Sequence, residues 1–411
     1  MSRGSCPSLF PLGKWIACLP AGPSVSVRTE LNMSSRLIKA FLKGVHYLSG
    51  NEASAEGAIA AGCRFYAGYP ITPSSELMER MAFRLREVGG VFIQMEDEIA
   101  SISAVIGASW AGAKAMTATS GPGFSLMQES IGYAAFTETP CVIIDVQRAG
   151  PCTGQATKVG SGDIMQAKWG SHGDYQVVAL SPWSAQEMYD LTLRAFNLSE
   201  RYRVPVLVMA DEAVGHLREN MSIGAKAEVW NRKKKKGASP FGTDEEDGVP
   251  PMPVFGEGER LAVTGSTHDA FGYRKTDDSD VHARLVSRIN EKIFGNRNRI
   301  IETEDYFLED SEIALIAYGF TARTSLYVVN RLRKEGTKMG MLRLKTLWPF
   351  PEEAVAELGR KVKKVLVPEM NLGQVAGEAK KYCDCDVIPL NQTNGEVIRP
   401  EVIIEVLKGI S

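Results

Sequence analysis

No stretch of this 411-residue chain is long and apolar enough to cross a membrane. The nearest approach, Phe10 to Pro20, is broken by Pro11, Gly13, Lys14 and Pro20. No cleavage site that would mark a secretory signal follows it. An excess of one charge is also missing: 47 Lys and Arg against 49 Asp and Glu leave a formal net charge of −2. That balance argues against a dedicated nucleic-acid binder. A basic run, Arg232 to Lys236, is short, lacks interleaved aromatics and is answered by Asp244-Glu245-Glu246-Asp247, so it reads as a solvated segment.

Metal-binding residues are sparse and scattered. The seven cysteines lie at 6, 18, 63, 141, 152, 383 and 385. An odd, unpatterned set in so long a chain excludes a disulfide framework and fits the reduced thiols of a cytoplasmic protein. Cys383-Asp384-Cys385 has no further ligand beside it, too few for zinc or an iron–sulfur cluster. His172, His216, His268 and His282 show no metal-ligand spacing and are expected to be structural, so no metal is expected on this chain. Lys158 and Lys168 are expected to be solvated. The dinucleotide fingerprint, the P-loop, the G-x-S-x-G elbow and a Cys-His protease signature are all absent.

What is present is an ordinary globular composition, 44% hydrophobic and 23% charged, in a chain long enough for two or three domains. From about residue 50, short apolar strands alternate with helical stretches, which implies βαβ units and a parallel, doubly wound α/β sheet. Strands are expected at Gly90–Met95, Ala115–Thr119, Cys141–Val146 and Pro205–Met209, with helices over Glu98–Ala111 and Ser125–Phe136. Residues 220–300 are the least regular, with prolines, charge runs and one amphipathic helix over Asp280–Phe294. A second α/β unit starts near Glu312, with strands at Ile313–Gly319, Gly340–Leu344, Val362–Val367 and Val387–Leu390. The expected division is a disordered leader over 1–44, with Met33 near a natural start, a first domain over 45–225, a linker over 226–305 and a second α/β domain over 306–411.

Four segments carry polar groups to the strand ends, where open α/β sheets bind ligands. In Gly68-Tyr69-Pro70-Ile71-Thr72-Pro73-Ser74-Ser75-Glu76, two prolines stiffen the backbone around Thr72, and Thr72, Ser74 and Ser75 can cap the helix that follows. That helix start suits an anion. Glu96-Asp97-Glu98 follows a strand and opens a helix. Carboxylates there complement the helix dipole, but the small and apolar residues after Glu98 give it a dry setting suited to acid–base work. Ser120-Gly121-Pro122-Gly123 is a strand-to-helix loop whose glycines allow close backbone approach. Arg148 follows a buried strand, and its guanidinium suits a planar carboxylate; Thr153, Gly154, Gln155 and Thr157 lie just beyond.

Tyr69-Pro70-Ile71-Thr72-Pro73, Met95-Glu96-Asp97-Glu98, Thr119-Ser120-Gly121-Pro122-Gly123 and Asp145-Val146-Gln147-Arg148-Ala149-Gly150 together resemble the α subunit of the 2-oxoacid:ferredoxin oxidoreductases, most of all the 2-oxoglutarate type. The resemblance spans about residues 45 to 410. It implies a pyrimidine-binding domain for thiamine diphosphate, then a transketolase C-terminal-like α/β domain. It assigns Glu98 to the aminopyrimidine nitrogen, with Glu96 as the alternative. Tyr69, Pro70, Ile71, Ser120, Gly121, Pro122 and Gly123 would also line the cofactor. Thr72 and Arg148, with Thr157 assisting, would hold the substrate carboxylate. The implied reaction is oxidative decarboxylation of a 2-oxoacid to acyl-coenzyme A, with ferredoxin reduced and the cofactor as electron sink. No Gly-Asp-Gly metal segment and no cysteine cluster occur. The resemblance therefore implies a β subunit carrying the diphosphate and magnesium site and the iron–sulfur cluster, with γ and δ subunits as further partners. Pyruvate, indolepyruvate and branched-chain 2-oxoacids stay open as substrates, as does a non-catalytic assembly role. A 2-oxoglutarate substrate, with its second carboxylate, calls for another cation, supplied here or by the β subunit.

Overall fold

The alternation of strands and helices becomes two mostly parallel sheets in the computed structural model, which describes residues 41–410. The expected leader and the start at Met33 lie outside the described residues, apart from 41–44, where Gly44 opens the first strand. In chain order come β1 (Gly44–Ser49), α1 (Gly50–Ala60), β2 (Phe65–Gly68), α2 (Ser75–Glu87), β3 (Val91–Gln94), α3 (Glu98–Trp110), β4 (Ala115–Thr119) and α4 (Gly121–Phe136). There follow β5 (Cys141–Ala149), β6 (Gln155–Val159), α5 (Ile164–Trp169), β7 (Val178–Leu180), α6 (Ala185–Tyr202), β8 (Pro205–Asp211), α7 (Glu212–His216) and β9 (Arg218–Ile223). After an irregular stretch come α8 (Ser279–Phe294), α9 (Arg297–Ile300), β10 (Thr303–Tyr306), β11 (Ile313–Ala317), α10 (Gly319–Lys334) and β12 (Met339–Leu344). The chain closes with β13 (Thr346–Trp348), α11 (Glu352–Lys361), β14 (Lys364–Glu369), α12 (Gln374–Ala379), β15 (Asp386–Asn391) and α13 (Pro400–Ile410).

The first sheet has the order β13-β7-β8-β5-β4-β2-β3, with β6 folded antiparallel onto β5. From β7 to β3 all neighbours are parallel. Its central strands β4, β5 and β8 are buried along their whole length, as expected where helices cover both faces. The connection from β2 runs outward through α2 to β3, whereas that from β4 runs the other way through α4 to β5. Adjacent strands whose connections diverge leave a crevice at their C-terminal ends. Here the crevice lies between Gly68–Pro73, after β2, and Ser120–Gly123, after β4.

The second sheet has the order β10-β12-β11-β14-β15, parallel except for β10. It is not walled off from the first. Strand β13 returns to the first sheet and pairs with β7, Thr346 facing Leu180. One apolar cluster runs through Ile143 and Leu207 of the first sheet and Ile316 and Val365 of the second.

Several local expectations change. Strand β5 runs on to Ala149, so Arg148 lies within it. Helix α4 starts at Gly121 instead of Ser125, because Pro122 in the first turn needs no amide partner and has its φ preset. The segment expected to be a solvated linker is packed. Phe241, Met252 and Arg232 are buried, and Arg232 pairs with buried Glu200 while donating to the carbonyls of Ser109 at 2.9 Å and Ala113 at 3.0 Å. The next two lysines do stay exposed, Lys233 near Asp247 at 3.1 Å and Lys234 near Glu257 at 2.8 Å. Lys168 is buried, against expectation. Its ammonium donates to the Tyr175 carbonyl at 3.2 Å and to Gln176, and burial lowers its pKa to about 8. Lys158 is exposed beside Glu396.

Candidate active site

The loop after β2 is rigid, though not held as expected. Ser74 occupies the N-cap of α2, but its hydroxyl donates back to the Ile71 carbonyl at 2.9 Å and no side chain caps the helix. Serine hydroxyls compete for nearby carbonyls in this way, so the expected capping by Thr72, Ser74 and Ser75 does not form. Asn51, fully buried at the start of α1, fixes the loop instead: its amide donates to the Pro73 carbonyl at 2.8 Å and to Glu76 at 3.1 Å. Tyr69, Pro70 and Thr72 face outward, and Ile71 is half-buried.

The three acidic residues after β3 divide by burial. Asp97 is the N-cap of α3 and accepts from the Ala100 amide at 2.7 Å. Glu96 is exposed. Glu98 turns inward and is only 4% exposed. Burial raises its pKa above the ordinary carboxylate value; its own backbone amide and Arg148 oppose the rise, and Asp97 adds to it. The carboxyl lies against Gly123, where a Cβ would overlap both the Glu98 carboxyl and the Thr119 hydroxyl. The Thr119 and Ser120 hydroxyls are buried without partners. The Ser120–Gly123 segment is thus a closely fitted surface beside a protonatable carboxyl.

Arg148 completes the edge. It is 7% exposed, its Nη1 donates to the Thr72 carbonyl at 2.7 Å, and its Nε has no partner. It lines a cavity of about 850 Å³ between the N-terminus of α4, the β5–β6 turn and the Met370–Gln374 segment of the second unit. Asn371 ties the far wall to the near one, donating to the Ser161 carbonyl at 2.7 Å. Among the described lining residues Arg148 is the single cation.

The structure therefore brings Glu98, Ser120–Gly123, Arg148 and the Thr72 backbone together. Thr157 is exposed on β6 and does not line the cavity. Sequence reading missed Asn51, and it took Asp145 as the start of the Asp145–Gly150 motif, although that carboxyl lies within buried β5, next to Thr119 of β4. An aspartate inside the apolar run Cys141–Val146 was the available signal for the latter; Asn51 had none. Among the described residues no group of three or more His, Cys, Asp or Glu is placed to hold a metal ion, and no helix is long and apolar enough to cross a membrane.

A family model described as pyruvate flavodoxin/ferredoxin oxidoreductase, thiamine diphosphate-binding, matches residues 56–288, and one described as pyruvate:ferredoxin oxidoreductase core domain II matches residues 311–403. The chain belongs to the 2-oxoacid:ferredoxin oxidoreductase family. It is 53% identical to the 2-oxoglutarate synthase subunit KorA of Methanocaldococcus jannaschii, over 89% of this chain and 100% of that one. Identity to the ketoisovalerate oxidoreductase subunit VorB of Methanothermobacter marburgensis is 35%, over 89% and 97%. Among solved structures, the 2-oxoglutarate:ferredoxin oxidoreductase from Magnetococcus marinus, with 2-oxoglutarate, coenzyme A and succinyl-CoA bound, matches with a TM-score of 0.85 and 33% identity. That match covers 89% of this chain and 65% of the longer one. A split-gene transketolase, TM-score 0.52 and 12% identity, shares the fold. The glutamate-and-glycine surface described above lies within the residues matched by the thiamine diphosphate-binding family model.

Proposed function

We propose that this chain is the α subunit of a cytoplasmic 2-oxoglutarate:ferredoxin oxidoreductase, and that residues 45–225 hold the pyrimidine half of thiamine diphosphate. The observation that carries the reading is Arg148: a buried guanidinium on a cavity wall, pinned at one nitrogen and with Nε unsatisfied. A guanidinium so placed pairs well with a carboxylate. The 53% identity to a 2-oxoglutarate synthase subunit against 35% to a ketoisovalerate enzyme subunit favours 2-oxoglutarate as substrate.

The residues fit the cofactor. The partnerless Thr119 and Ser120 hydroxyls and the side-chain-free Gly123 surface offer a flat polar contact beside Glu98. Glu98 would hold the aminopyrimidine nitrogen, with Tyr69, Pro70, Ile71, Gly121 and Pro122 around it. Thiamine diphosphate, when bound, supplies the nucleophilic carbon and the electron sink for loss of CO₂. Glu98 holds a proton at its carboxyl and shares it with the ring nitrogen, a task suited to a desolvated acid with raised pKa. Arg148 binds and orients the substrate carboxylate, and Thr72 frames it. The metal and diphosphate contacts, the iron–sulfur cluster and a second cation for the distal carboxylate are assigned to a β subunit. Ferredoxin and coenzyme A are the acceptors, and γ and δ subunits complete the assembly.

Purification of the chain with its co-assembled subunits, followed by viologen reduction across a panel of 2-oxoacids, tests this. Coenzyme A-dependent reduction with 2-oxoglutarate preferred is expected. Preference for a branched-chain 2-oxoacid overturns the substrate, and no turnover of any 2-oxoacid overturns the reading.

A further inference from the structure

Behind the Arg148 wall lies a feature that carboxylate binding and cofactor binding do not use. Asp145 on β5 is fully buried, and its carboxyl meets that of Asp163 within hydrogen-bond reach. Asp163 is the N-cap residue of α5, yet its side chain caps nothing; it is turned toward Asp145 instead. Its backbone amide is held by the Gln147 side chain at 3.1 Å, and Gln147 is anchored in turn to the Ala210 carbonyl at 3.3 Å. Neither Asp145 oxygen nor Asp163 Oδ2 has a well-formed bond to any donor. The Gly121 amide points at the pair, and Arg148 faces Asp163. Arg148, Asp163 and Gly121 all line the same cavity. Two carboxylates in contact, one fully buried and both short of donors, do not readily stay ionised together.

We propose that Asp145 and Asp163 share one proton, Asp145 donating it to Asp163, and that this proton governs how strongly Arg148 holds the 2-oxoacid carboxylate. The proposal rests on the carboxylate-binding role assigned to Arg148. With the proton in place the pair carries one negative charge, enough to orient the guanidinium and to accept from Gly121. Without it, a second negative charge develops behind Arg148 and competes with the incoming substrate. Burial and the Asp163 charge push the Asp145 carboxyl well above its usual range; burial raises Asp163 as well, opposed there by its hydrogen bond to Asp145, the Arg148 charge and the Gly121 amide. The elements packed around the pair also carry Glu98 on α3, Lys158 on β6, Lys168 on α5, Arg194 on α6, Asp211 on β8, Glu212 and His216 on α7 and, across the cavity, Glu369 on β14. The positive charge that acts on the pair is Arg148. Asp145 and Asp163 are positioning residues; they act through Arg148.

The test compares the assembled wild-type complex with D145N, whose amide donates permanently to Asp163 and cannot ionise. In the wild type, the KM for 2-oxoglutarate should rise about tenfold or more from neutral to alkaline pH, with kcat changing less. In D145N the same KM ratio should stay within about twofold. An equal rise in both proteins overturns the proposal while leaving the decarboxylase reading intact, whereas absence of 2-oxoacid turnover in the wild type strikes that reading. A readout independent of turnover is the infrared stretch of a buried protonated carboxyl, read in the assembled E98Q complex so that the Glu98 proton does not contribute. A band should be present at neutral pH, vanish on alkaline titration and be lost when D145N is added. Absence of any such band from E98Q overturns the shared proton whether or not the D145N chain folds.

Discussion

Replacing Gly123 by alanine isolates the close fit on which the candidate site depends. In a helix, glycine-to-alanine usually stabilises by roughly 0.5–1 kcal/mol. Gly107, in α3, meets that condition: an added Cβ has open space around it. At Gly123 the added carbon would occupy the space of the Glu98 carboxyl and the Thr119 hydroxyl, both buried. Overpacking of this kind costs about 1–3 kcal/mol. Since the propensity gain offsets part of that, a net loss of up to about 2 kcal/mol is expected for G123A. Relief comes from displacing Glu98, and a shift near 1 Å in a reacting group can lower turnover about 100-fold. Thermal unfolding of G123A and G107A, with viologen reduction by the assembled complexes, separates the two effects. G107A should be at least as stable as the wild type and G123A less stable and nearly inactive. A stable, fully active G123A would refute the packing of Glu98 against this turn and the cofactor surface built on it.

E98Q should lower turnover by about 10²–10⁴-fold without unfolding the chain; because burial raises the Glu98 pKa, the native state holds that proton more tightly and the ionised form is penalised, so the variant should unfold at the same or a higher temperature than wild type at neutral pH. R148A should raise the KM for the 2-oxoacid far more than that for coenzyme A, and R148K should recover little of the loss, since an ammonium cannot reproduce the guanidinium's bond to Thr72 together with a second planar contact; equal rises for both substrates would count against the clamp. Asp211 is buried and raised from 3.8 to about 6, so stability should fall as pH climbs through that interval, and D211N should flatten the slope in a pH series of thermal melts. E200A strands the buried Arg232 guanidinium and should cost about 3–5 kcal/mol in denaturant unfolding.

The sequence by itself determined the α/β class, the run of strands and the polar motifs at their ends. These depend on local pattern: apolar runs four to seven residues long, glycine and proline punctuation, and small residues after Glu98. Such features act over a few residues and are written along the chain. Tertiary structure decided which groups are dry. Lys168 and Arg232 look like surface charges in sequence, yet burial follows from distant partners: Tyr175 and Gln176 for one, Glu200 and Ser109 for the other. It also decided that Glu98 is buried where Glu96 is exposed, and that Thr72 meets Arg148 through its carbonyl across 76 residues. The Asp145–Asp163 contact belongs to the same class. Asp145 stands out in its apolar strand, but only the return of the chain after β6, which brings the Asp163 amide to the Gln147 side chain at 3.1 Å, sets Asp163 beside it.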